Sequence, residues 1–232
     1  LNLAWSEALF WDGRAESLEA QALGPIQAAG EMNLPLDQMV QKVSEISGYK
    51  ELFAKAYPGE PVNEKTVAKA IATYERTVTS APAPFDQWVS GKGSAISESA
   101  KRGFALFNGK ANCAACHSGW RFTDDSFHDI GLPGEDRGRG AILKEIEITQ
   151  FAFKTPTLRD ADRRGPYMHD GSEKTLEDVI ELYNQGGRVK RPSLSNEIKP
   201  LNLTAEEKHD LVEFLKTLTS PSQPVTIPAL PR

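Results

Sequence analysis

The chain has 232 residues, enough for one large domain or two small ones. Its 39% hydrophobic content supports packed cores, while a mean hydropathy of -0.44 and the lack of any long apolar run argue against a membrane span. A formal net charge of -5 disfavours nucleic acid and makes a small basic protein a more natural partner.

Residues 15–23 read as a helix that stops at Gly24-Pro25. Residues 36–47 carry Leu36, Met39, Val40, Val43 and Ile46 at helical spacing, and 49–56 form another short helix ended by Pro58-Gly59. Residues 63–80 form the longest helix, with Val67, Ala70, Ile71 and Tyr74 on one face. Ala81-Pro82-Ala83-Pro84 ends helical order, because proline restricts itself and the residue before it. Residues 81–95 are therefore the expected hinge. A helix near residues 97–107 follows, just before the cysteine pair. Residues 118–154 read as loops and 175–183 as a helix. Thr204-Ala205-Glu206-Glu207 is a capping box opening the last helix, which runs to about Leu218 with Leu211, Phe214, Leu215 and Leu218 inward. Four prolines in 221–232 predict an extended surface tail. No segment alternates convincingly as a strand, so the fold class is mainly α.

The only two cysteines lie in Cys113-Ala114-Ala115-Cys116-His117. The histidine directly after the pair points to covalent haem: two thioethers from the thiols, and the imidazole beneath the iron. Zinc would need further ligands, and a thioredoxin-like pair would need a βαβ context. The flanking helices, with Phe104, Phe107 and Phe214, suit packing over a haem edge. Candidates for the second axial ligand are Met168, His169 and Tyr183, or no ligand at all. Thioether attachment is an extracytoplasmic process in bacteria, so a periplasmic location is expected. With Leu1 rather than Met at the start, a mature or trimmed chain is the simplest expectation.

Several segments converge on one family. Phe10-Trp11-Asp12-Gly13-Arg14-Ala15 is followed by Gln21-Ala22-Leu23-Gly24-Pro25-Ile26 and Glu31-Met32. Later come Phe153-Lys154-Thr155-Pro156-Thr157-Leu158-Arg159 and Gly165-Pro166-Tyr167-Met168-His169-Asp170-Gly171. Together, over residues 1–218, these resemble the bacterial di-haem cytochrome c peroxidase and MauG-type family. The resemblance implies a C-terminal c-type cytochrome domain in 95–220, and in 1–94 the helical part of a peroxidatic haem domain. The family's first CxxCH precedes the Trp-Asp-Gly-Arg segment and has no counterpart here. A fragment of a longer protein is the preferred expectation, over a split or a degenerate member.

By resemblance, Gln21, Pro25 and Glu31 line the distal side of the peroxidatic haem, Glu31 being the acid/base of O–O cleavage. Trp11 is the electron relay between haems. His117 ligates the electron-transferring haem c, and a second haem c is expected in the complete protein. Tyr183 occupies the second-ligand position, as in the MauG-type branch, with Met168 as the alternative. His169 has an electron-transfer or structural role. Calcium would be held by backbone carbonyls at Arg164 and Pro166. The implied partners are hydrogen peroxide and a small electron-donor protein such as a cytochrome c or cupredoxin, and a homodimer is among the allowed assemblies. The expected function is a cytochrome c peroxidase-like oxidoreductase with peroxide as electron acceptor. The alternatives are a MauG-type oxidase acting on a protein substrate and a mono-haem electron carrier. The surface tryptophan that the MauG-type branch uses toward its protein substrate falls at Ala111.

Overall fold

The computed structural model describes residues 1–222 and 225–232. Among these, eight α-helices and one two-stranded ladder of two residues per strand confirm a mainly α fold. Contacts divide the chain into two compact units. The smaller is built on Asn2–Leu9 and Ala15–Thr79, the larger on Phe10–Arg14 and Ser80–Ser222.

In the smaller unit, α1 (Leu18–Gln27) starts where the Ser17 hydroxyl accepts from the Ala20 N–H at 3.1 Å. It does not stop at Gly24-Pro25: Pro25 lies inside the last turn. A proline there removes a single helical donor, a loss tolerable so near the end, and the Ala28 N–H still reaches the Gly24 carbonyl at 3.0 Å. The stretch read as one helix over 36–47 ends earlier, as α2 (Leu36–Glu45), with α3 (Ser47–Ala56) after it. Helix α4 (Glu64–Thr77) opens on a capping box between Asn63 and Thr66. Its buried face is Thr66, Val67, Ala68 and Ala72, whereas Tyr74, expected inward, is 64% exposed. Small residues let α4 approach its neighbours closely, so the inward face follows the alanines and not the aromatic. Ile26, Met39 and Val67 form the core, with Leu23, Val43, Phe53 and Ile71 packed around them.

The main segment of the larger unit starts at Ser80 and so takes in the whole of the expected hinge. Residues 84–89 form α5 (Pro84–Val89), and Phe85 is a core residue. Asp86 caps this helix by accepting from the Ala83 N–H at 2.7 Å, and it receives both Arg159 guanidinium nitrogens at 2.7 and 2.8 Å. Helices α6 (Glu98–Asn108), α7 (Leu176–Asn184) and α8 (Ala205–Lys216) lie where helices are expected; Thr204 caps α8 as expected, and Ser97 and Thr175 cap α6 and α7 in the same way. Leu211, Phe214, Leu215 and Leu218 are all buried. Four phenylalanines make an edge-on cluster: Phe214 lies 5.0 Å from Phe107 and 5.6 Å from Phe85, and Phe85 lies 5.4 Å from Phe122. Within 118–154, read as loops, Phe127–His128 (β1) pairs antiparallel with Phe153–Lys154 (β2). Strands of two residues are too short to leave an alternation pattern. The described part of the proline-rich tail has no regular secondary structure, and residues 223 and 224 lie outside the described residues.

Helices α6 and α8 touch at Gly103, where a methyl group would overlap the Asp210 carbonyl oxygen. Gly103→Ala is expected to destabilise the folded protein by about 3 kcal/mol, the upper part of the overpacking range, read as a lower denaturant midpoint at unchanged slope. At the same crossing, Asp210 accepts from Arg102 at 2.7 and 2.8 Å and from the Ser99 hydroxyl at 2.5 Å. The Arg102 guanidinium, and then the hydroxyl, hold its carboxyl below the usual carboxylate range. A lowered folded-state value gives stability that is present above the unfolded-state value and is lost as pH falls through the folded one. Asp210→Asn is therefore expected to cost about 2 kcal/mol at neutral pH, with the gap to the parent closing below about pH 4. Equal losses at pH 3 and pH 7 in urea titrations would contradict the ion-pair account.

Candidate haem site

The cysteine pair follows α6 in a single tight turn. The N–H groups of Cys116 and His117 both return to the Cys113 carbonyl, at 3.3 and 2.9 Å. The turn therefore places both sulfurs and the imidazole on the wall of one cavity. That cavity encloses ≈ 1360 Å³ free of protein atoms, part of it open to solvent. Phe107, Ile130, Leu132, Leu158, Leu176, Leu211 and Leu215 make its wall largely apolar. Trp11, Met168, His169 and Tyr183 line it as well.

His117 Nδ1 lies 2.9 Å from the carbonyl oxygen of Phe122. A carbonyl only accepts, so Nδ1 carries the proton and Nε2 keeps its lone pair. Burial lowers the imidazole pKa, with the Phe122 carbonyl opposing. The ring is thus held neutral, the form that ligates a metal. The thiols respond in the opposite sense to a redox pair. Burial pushes Cys113 up to about 12 and Cys116 up to about 11, and the Asp124 carboxylate adds to the shift at Cys116. A thiol redox pair depends on a lowered value. Two hard-to-ionise thiols beside a neutral imidazole, on an apolar wall, fit thioether attachment of a porphyrin and do not suit disulfide exchange.

Tyr183, near the end of α7, keeps part of its surface toward the cavity, and burial raises its phenol well above the usual value. Gly187, just beyond, has φ 78° and lies against the Ile130 carbonyl, which lets the chain turn back along the cavity. Met168 is left-handed at φ 70°. His169 stacks face to face on Phe153, with centroids 3.5 Å apart and planes 10° apart. The Trp11 carbonyl accepts from the Lys154 N–H at 2.8 Å, while Arg139 donates to the carbonyls of Asp12 and Gly13 at 3.1 and 2.8 Å. The backbone at and just after Trp11 is thereby fixed at the cavity rim.

The other expected site residues do not line this cavity. Gln21 and Pro25 belong to the smaller unit, half-buried one turn apart on one face of α1. Glu31 is exposed in the turn that follows, its N–H bonded to the Ala28 carbonyl at 3.0 Å. Arg164 and Pro166 lie in the stretch leading to Tyr167, where the Arg164 guanidinium donates to the carbonyls of Thr157 and Asp160 at 3.1 and 3.3 Å. Sequence reading missed His128, which lines the cavity and pairs with Asp124 at 2.8 Å. Among the described residues, Cys116, Asp124 and His128 are the one group of three metal-binding side chains whose donor atoms converge, within 4.8 Å. It also missed Phe153 as the partner of His169. Neither had a usable signal, since both are placed by the short β1–β2 pairing.

The larger unit is a c-type cytochrome module, and residues 100–219 match the family described as cytochrome c. Residues 1–94 match the family described as di-haem cytochrome c peroxidase. The whole chain is 53% identical to the methylamine utilization protein MauG of Methylorubrum extorquens and 49% identical to that of Methylophilus methylotrophus, covering 66% and 70% of those proteins. A crystal structure of a MauG-like protein associated with microbial copper homeostasis superposes with a TM-score of 0.83 at 31% identity, over 93% of this chain and 73% of that one. The chain belongs to the di-haem cytochrome c peroxidase and MauG family, whose cofactor is haem c, and it spans about two thirds of the length of these relatives.

Tyr183→Phe is expected to change the visible spectrum of the haem-loaded protein while leaving covalent haem content intact. An unchanged spectrum would remove Tyr183 from the ligand set and leave Met168 to be tested in the same way.

Proposed function

We propose that this chain is the electron-transferring part of an oxidoreductase that uses hydrogen peroxide as electron acceptor. The observation that carries the reading is the meeting of Cys113, Cys116, His117 and Tyr183 on one largely apolar cavity. In this reading the thiols form the thioethers to haem c, His117 offers Nε2 to the iron, and Tyr183, or else Met168, is the second ligand. When bound, haem c stores and passes one electron at a time. The hydrogen bond to the Phe122 carbonyl keeps the imidazole in the ligating tautomer. The apolar wall excludes water from the porphyrin faces. Trp11, held by Lys154 and Arg139, relays electrons toward the peroxide site, with His169 on the same cavity wall.

Gln21, Pro25 and Glu31 serve the peroxide side. The Glu31 carboxylate takes the proton from the inner peroxide oxygen and returns it to the outer one, so that water is the leaving group. Backbone carbonyls of Arg164 and Pro166 hold calcium. The electron donor is a small periplasmic protein of the cytochrome c or cupredoxin type, and a second haem completes the enzyme. A MauG-type oxidase acting on a protein substrate is the second reading, favoured by the tyrosine in the cavity and by 53% identity to a MauG protein.

Glu31→Gln is expected to slow peroxide turnover with a reduced cytochrome c by about 10²–10⁴-fold in the haem-loaded enzyme, with little change in its resting spectrum. Parent-like turnover would show that the proton is moved by another group.

A further inference from the structure

We propose that Trp120 is the surface end of the electron path to the haem, the point at which a small redox protein delivers its electron. The inference rests on the haem assigned above to His117. Trp120 is 53% exposed, on the loop that closes over the imidazole ligand. That loop is shut by the Phe122 N–H on the Gly119 carbonyl at 3.0 Å and the Thr123 N–H on the Ser118 carbonyl at 2.9 Å. Its last link is the His117 Nδ1 bond to the Phe122 carbonyl at 2.9 Å. One residue, Arg121, separates Trp120 from Phe122. An electron on the indole therefore has a route of covalent bonds interrupted by a single short hydrogen bond to the imidazole. Tunnelling through such a route decays less steeply than tunnelling across space.

The loop is also rigid where it must be. Arg159 Nε donates to the Trp120 carbonyl at 2.8 Å, and the Thr157 hydroxyl donates to the Arg121 carbonyl at 2.5 Å. Arg159 is itself 5% exposed and clamped by both oxygens of Asp86. An indole exposed at its ring and fixed at its backbone meets a partner with little ordering cost, and tryptophan is favoured at the centres of protein interfaces. Ala111, where the MauG-type branch carries its surface tryptophan, is 6% exposed and has no ring to offer.

The step transfers one electron. The donor's ferrous haem becomes ferric, the haem on His117 goes from ferric to ferrous, and Trp120 bridges the two without net change. No bond forms or breaks and no proton moves.

The test uses the haem-loaded full chain and a reduced small basic cytochrome c, mixed by stopped flow at saturating donor. Trp120→Leu is expected to lower the limiting first-order rate by about fivefold or more, which is about 1 kcal/mol of barrier. Its Soret spectrum, midpoint potential and reduction by dithionite should match the parent. Chemical-shift changes in ¹⁵N-labelled cytochrome c report binding separately from transfer. A parent-like limiting rate in the leucine variant overturns the proposal, whether or not affinity falls. Should that variant not load haem, Trp120→Phe carries the test: about two- to threefold slowing supports the relay, and the parent rate overturns it. Peroxide turnover with a small-molecule donor reports on the preceding reading alone, so the two can fail independently.

Discussion

The hydrogen bond between His117 and the Phe122 carbonyl couples the imidazole to the aromatic core of the larger unit. On one side is an imidazole whose second nitrogen must stay unprotonated and correctly turned. On the other is a residue whose ring is buried among Phe85, Phe107 and Phe214. Phe122 can serve both only because its backbone is left-handed, at φ 55°, which turns its carbonyl toward the histidine while its ring goes into the core. That conformation is costly for a bulky residue and persists because aromatic packing and the Thr123 and Thr157 hydrogen bonds over-determine it. The ligand geometry is thus inherited from the hydrophobic core through one carbonyl group.

The low polarity of the cavity then sets the chemistry of every group on its wall. It raises the thiols and the Tyr183 phenol and lowers the imidazole, in each case favouring the uncharged form. Neutral thiols and a neutral imidazole are what a porphyrin-binding site requires before the metal supplies its own charge. A neutral phenol is not by itself a good ligand, and only a neighbouring cation such as ferric iron would bring its pKa down. Tyr183 is therefore suited to a role conditional on the oxidised metal, which is the opposite preference from a thioether such as Met168.

Local chemistry was legible in the sequence and long-range placement was not. The capping box at Thr204 announced α8 because a side chain satisfying its own helix needs no tertiary information. The pentapeptide around Cys113 was readable for the same reason. Pro25 misled because its rule concerns helix interiors, and it stands close enough to the end of α1 for the loss of one donor to be absorbed. Residues 81–95 misled because proline spacing hid Phe85, whose burial depends on Phe122 and Phe214, distant in sequence. His128 and Phe153 acquire their positions from a two-residue strand pairing that no periodicity can reveal. Arg159 was quoted only as part of a motif, yet it fastens α5 to the loop carrying Trp120.

These placements bear on how the two functional readings relate. A peroxidase draws electrons inward from a soluble donor, and an oxidase of the MauG type draws them from a protein substrate. In both readings peroxide is the final acceptor and the haem on His117 passes electrons toward it. What separates them is the potential at that haem, and so the identity of its second ligand, together with the group that meets the outside protein. A phenolate at Tyr183 would favour the ferric over the ferrous state. Ala111 is buried and has no ring to offer, so in either reading it is not the meeting point. The loop that positions the imidazole is then the natural place for it, because the contacts that hold the ligand still also fix the backbone beneath an exposed indole.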